Sequence, residues 1–91
     1  MTEEEKLKLI ISQAQDADQW LNHPVFKHVI TLLKAEYVKE FESTKFKERD
    51  EREELWRQLQ ALNRVTGKME RMIRDGANAN KTLLQILKEK L

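Results

Sequence analysis

Apolar residues recur along this chain at the three- and four-residue steps of an α-helix, and nowhere do they alternate as a strand would. Leu7, Ile10, Ala14, Ala17 and Leu21 form a first stripe, which Ile11 and Trp20 widen. Thr2 stands three residues before Glu5, the Thr-x-x-Glu arrangement in which a hydroxyl caps a helix start. Glu3, Glu4 and Glu5 suit the positive end of the helix dipole. The pattern predicts a helix over about 2–21, with Trp20 in or near the core.

Asn22-His23-Pro24 interrupts this pattern. Proline disfavours helix at the residue before it and is welcome in a helix's first turn, so Asn22 or His23 is expected to cap a second helix over about 24–42. Phe26, Ile30, Leu33, Tyr37 and Phe41 give that helix its main stripe. Val25, Val29, Leu32 and Val38 broaden it beyond what one neighbour covers, the signature of a central element packed between others.

Ser43 and Thr44 punctuate the chain, and a third helix is expected to start between Phe46 and Arg49 and to span about 47–75. Leu55, Leu59, Leu62, Thr66, Met69 and Ile73 set its face, with Leu62, Val65, Met69 and Met72 running alongside. Gly67 falls inside the pattern without breaking it, at a cost of about 1 kcal/mol relative to alanine. At Asp75-Gly76 two readings stand. The glycine ends the helix in a left-handed cap, and a fourth helix over about 79–90 follows, faced by Leu83, Leu84, Leu87 and Leu91. Otherwise the helix runs on as one rod. We favour the break, and so expect a single all-α domain over 1–91, a small three- to four-helix bundle with a long third helix.

Composition narrows the function classes. The chain is 40% hydrophobic and 36% charged, too apolar for a disordered segment. Its 17 basic and 16 acidic residues leave a net charge of +1, which names no partner. Without cysteine there is no disulfide, thiolate metal site or thiol nucleophile. No apolar run is long enough to span a bilayer, and the acidic Met1–Glu5 start is unlike a signal peptide, so no membrane partner and a cytoplasmic location are expected. His23 and His28 are five apart, whereas ligand pairs on a helix sit three or four apart. The carboxylates Glu48, Asp50, Glu51, Glu53 and Glu54 interleave with Arg49 and Arg52 in a polar run with no apolar wall, which reads as a solvated helix start. We expect no enzyme activity, no metal and no cofactor.

Contact surfaces remain. Arg57, Arg64, Lys68 and Arg71 fall within ~60° of one another on the third helix, opposite its leucine face. Between Leu55 and Arg74 five basic residues meet one acid. This stripe is a candidate for an acidic protein or for nucleic acid, although no aromatic interleaves with it. Trp56 lies beside the main stripe, where it covers a helix seam or anchors a partner.

Three stretches together resemble a group of small bacteriophage-encoded helical proteins. They are Asn22-His23-Pro24-Val25-Phe26, then Tyr37 and Phe41, then Arg52-Glu53-Glu54-Leu55-Trp56 opening a helix that reaches Gly76. His23 stands between the group's Asn and Pro, and Ala77 follows Gly76 in place of a lysine. The likeness covers roughly residues 14–80 and rests on caps and core positions. It implies a phage origin and a role in virion assembly, packaging or host takeover. The leading expectation is therefore a non-enzymatic helical protein working by contact with itself or with a phage or host component, as a homo-oligomer or within a larger assembly. Its rivals are a nucleic-acid-binding packaging or regulatory factor and a small inhibitor of a host enzyme or defence complex.

Overall fold

The computed structural model describes residues 1–44 and 48–91. Three helices fill it: α1 (Glu3–Leu21), α2 (Pro24–Ser43) and α3 (Arg49–Glu89). The expected start of the third helix falls partly on residues 45–47, outside the described residues.

Local chemistry accounts for each boundary. The Thr2 hydroxyl accepts a hydrogen bond from the Glu5 N–H at 3.2 Å, which opens α1 on a side-chain cap. Asn22 closes α1: its backbone N–H donates to Asp18 O, and its side-chain amide donates to the Asp18 carbonyl and carboxylate at 2.9 and 2.8 Å. His23 is therefore the residue that caps α2, its Nδ1 accepting from the Val25 N–H at 3.2 Å, with Pro24 in the first turn. At the other end, Ser43 Oγ donates to Glu40 O at 2.8 Å and Thr44 Oγ1 donates to Phe41 O at 2.6 Å. Those bonds occupy last-turn carbonyls that would otherwise lack partners.

Gly76 does not end a helix. α3 runs unbroken through it for 41 residues, and no glycine adopts a positive φ. The expected fourth helix is thus the last quarter of α3. A rod of this length extends about 62 Å, and the whole molecule measures 67 × 25 × 18 Å. α1 and α2 lie end to end along α3, each antiparallel to it. Glu4 meets Lys90 and Ala14 meets Gly76 at one end, while Phe41 meets Arg52 at the other. The described residues are all-α, as read from the pattern, but they form a three-helix layer two helices wide rather than a four-helix bundle. The Cα radius of gyration is 19.2 Å, against about 12 Å for a compact domain of this size.

Two kinds of packing hold the layer. Along α1 the contact is close and made by small residues: Ala14, Ala17, Gly76 and Ala79 are the buried positions. A methyl group on Gly76 would overlap the Ala14 methyl, and would lie 3.6 Å from Ala14 Cα and 3.7 Å from Ile10 O. This crossing, not a turn, is what requires glycine. Along α2 the facing residues are bulky, and none is buried. Phe26, Ile30, Leu33, Tyr37 and Phe41 are only partly buried, opposite Leu55, Leu59, Leu62 and Thr66.

The inward positions of α3 step 55-59-62-66-69, take one short stride to 72, then resume 72-76-79-83-86. Two successive three-residue steps rotate the seam by ~60°. The antiparallel register of Ala14 on Gly76 places the end of α1 at the level of Met69. The seam therefore turns where α3 exchanges α2 for α1 as its neighbour. One consequence corrects the expected last face: Leu83 and Ile86 point inward, whereas Leu84, Leu87 and Leu91 are exposed. Trp20, expected in or near the core, is 62% exposed.

Candidate protein-interaction surface

The basic stripe is divided by its partners. Arg57 sits within 3.9 Å of Glu53 and 3.7 Å of Glu54, and Glu53 also holds Arg49 at 3.4 Å. Salt bridges this exposed contribute little to stability, yet they commit Arg57 to its own helix. Arg64, Lys68 and Arg71 line a shallow depression with Gln60, Asn63 and Gly67 on the outer side of α3. Among the described residues these three make no ion pair. Four residues that share a face in the sequence thus become a cluster of three cations and one arginine already engaged.

Trp56 belongs to a different surface. It is 55% exposed and lines a cleft of about 460 Å³ with Phe41, Arg49, Arg52 and Glu53, at the end of the layer where α2 turns into α3. The Arg52 guanidinium lies 4.2 Å from the Phe41 ring centroid, a cation–π contact that fixes one wall. The cleft thus combines two aromatic side chains with three charged ones.

A second apolar surface forms at the α1–α2 corner. Trp20 packs edge-on to Phe26 with ring centroids 6.3 Å apart, and tilts against His23 at 6.5 Å. Around it Val25 and Val29 line an open hollow with Gln19. Val25, Val29 and Leu32 continue the patch along α2 at four- and three-residue steps, all exposed. The sequence pattern assigned these positions to the core. Their signal as a surface was the width of the α2 stripe, which exceeds what α3 alone covers.

Chemistry is sparse. Among the described residues no three His, Cys, Asp or Glu side chains approach closely enough to hold a metal ion, and no helix is long and apolar enough to cross a membrane. One acid, Glu4, is displaced by its partners. Its hydrogen bond from Lys90, helped by the charges of Lys90 and, to a lesser degree, Lys8, holds its carboxyl below the ordinary value. That contact clasps the open ends of α1 and α3 and lies far from both apolar surfaces.

No family model, curated protein or solved structure matches this chain.

Proposed function

We propose that this chain is a helical interaction protein that acts by protein–protein contact and carries no chemistry of its own. The observation that supports this most directly is apolar surface left uncovered. The accessible surface of this elongated chain, polar and apolar together, is 7443 Å², whereas a compact monomer of 10.9 kDa exposes about 5,600 Å². Among the described residues, Ala14, Ala17 and Ala79 are the buried apolar side chains. Of the larger ones, many are only partly buried, and Trp20, Val25, Val29, Leu32, Trp56 and Val65 are exposed, which costs hydration free energy until another polypeptide covers them. The bacteriophage setting suggested by Asn22–Phe26, Tyr37, Phe41 and Arg52–Trp56 makes virion assembly, packaging or host takeover the proposed context.

Photo-crosslinking tests this reading. A photoreactive side chain placed at position 56 or 20 of the full chain, in cells that produce it, is expected to yield discrete protein adducts. The same group at position 61, an exposed alanine away from both apolar surfaces, serves as the control. Adducts from all three positions alike, or from none, would refute specific docking.

A second reading is favoured by one observation, the Arg64, Lys68 and Arg71 cluster beside Gln60 and Asn63. Three phosphate contacts would give a log–log salt slope of about −2.7 on duplex DNA. Absence of any shift at low ionic strength, or a shift unaffected by reversing Arg64 and Arg71, would remove nucleic acid from consideration.

A further inference from the structure

We infer that the partner of the α2 surface is a second copy of this chain, which lays its own α2 antiparallel across Val25, Val29 and Leu32. The inference rests on the interaction reading above and names its occupant. Four observations lead to it.

First, the apolar arc of α2 spans about half of the helix circumference, from Val25 and Leu32 round to Ile30 and Phe41. A helix of that kind needs neighbours on two sides. Within one chain it has α3 on one side only, and none of its residues is buried. Second, Val25, Val29 and Leu32 are all exposed in the single chain, so this face is open to a neighbour.

Third, the outer stripe is suited to pairing with itself. Val25, Val29 and Leu32 are uncharged and step as a coiled-coil seam does, so a two-fold axis near Val29 sets valine and leucine against their counterparts. Fourth, charge selects the direction. Beyond Leu32 the same face carries Glu36 and Lys39. Parallel helices would stack Glu36 on Glu36 and Lys39 on Lys39 of the partner subunit, a repulsive register. Antiparallel helices instead carry Glu36 toward the first turn of the other α2, where a negative charge is favoured.

The resulting dimer has four helices in cross-section at this end, α2 and α3 from each copy. Trp20 lies at the rim of the new core, beside Val25. The Arg64, Lys68 and Arg71 cluster stays outside, on the far side of α3.

Sedimentation or light scattering on the full chain over a wide concentration range tests the inference. The wild type is expected at twice 10.9 kDa. Val29→Glu and Leu32→Glu are expected to weaken dimerisation by on the order of 100-fold, because each would bury a charge in the interface. Both side chains are exposed in the single chain, so the helical circular dichroism of the monomer is expected to stay unchanged. Arg64→Glu is the control and is expected to remain dimeric. Direction is read from the chain's lack of cysteine: Val25→Cys mixed with Leu32→Cys is expected to give disulfide-linked pairs, while Val25→Cys alone is not.

A wild type that stays monomeric at the highest concentration overturns the second copy. Position-specific adducts to an unlike protein would then leave the interaction reading standing. A dimer indifferent to both glutamate substitutions overturns the surface assigned here, and efficient Val25→Cys self-linking overturns the antiparallel arrangement.

Discussion

Alanine substitution should stabilise the protein at Gly67 and fail to do so at Gly76, the two glycines of α3. Both are interior helix positions, so each alanine gains about 1 kcal/mol of helix propensity. At Gly67 nothing lies within 4 Å of the added methyl, and the gain is kept. At Gly76 the methyl collides with that of Ala14, which sits on a backbone already in close contact. Restoring a carbon–carbon distance near 3.5–4 Å requires α1 and α3 to separate by on the order of 1–2 Å. Overpacking of this kind costs about 1–3 kcal/mol. The propensity gain is common to the two variants, so their difference isolates the packing cost. With about 4–8 °C of melting temperature per kcal/mol for a domain of this size, Gly76→Ala should melt at least ~4 °C below Gly67→Ala.

Thermal denaturation followed by circular dichroism, at one fixed protein concentration to hold association constant, measures that gap. Ala14→Gly in the Gly76→Ala background moves the methyl from one helix to the other and should recover most of the loss. The coupling in the double-mutant cycle should be about 1–3 kcal/mol. If Gly76→Ala stabilises the protein as much as Gly67→Ala, the close crossing of α1 and α3 is not the reason for the glycine. The account of the α1 half would then fail.

Three further outcomes follow from the described contacts. His23→Ala should cost ~1 kcal/mol by removing the acceptor at the start of α2, and His23→Ser should restore it, both read as melting temperature. Arg52→Ala should cost about 0.5–1 kcal/mol through lost contact with Phe41, whereas Arg49→Ala, in an exposed ion pair, should stay near wild type. Glu4 has a folded pKa below its unfolded one, so its contribution is present at neutral pH and is lost as pH falls through the folded value. The melting temperatures of wild type and Glu4→Gln should therefore differ slightly near neutrality and converge in acid; a difference that persists in acid would exclude the Lys90 contact as its source.

Much of this layer was legible before any coordinates. The Thr2 cap, the stop at Asn22, proline in the first turn of α2 and the punctuation by Ser43 and Thr44 are local, and short-range chemistry decides them. The inward face of α1 was legible for the same reason. Gly76 was not. A glycine inside a helical pattern fits both a left-handed cap and a close crossing, and the choice depends on a residue 62 positions away in the chain, Ala14. Leu84 and Leu87 were misplaced by the short stride at Met69–Met72, because a face extrapolated from either side of a phase shift is wrong by ~60° on the other. Trp20 and the outer valines of α2 were misassigned because periodicity measures how apolar an arc is and is silent on how many neighbours share it. The basic cluster was legible as a face, but not the loss of Arg57 to Glu53 and Glu54.

The two halves of α3 show how one helix can carry a closed contact and an open one. Small side chains let α1 approach until backbones nearly touch, and a contact that close has no room for a third party. Bulky side chains hold α2 away from α3, and the space between remains accessible along both flanks. The same substitution should therefore mean different things at the two ends. Enlarging a residue in the alanine–glycine crossing forces apart a seam that is already full. Enlarging an apolar residue on the outer stripe of α2, such as Val29, adds surface with nothing opposite it in the single chain. Stability of the isolated chain should accordingly be concentrated in the α1 half, and association should draw on the α2 half. α3, spanning both as an unbroken rod, sets the distance between them.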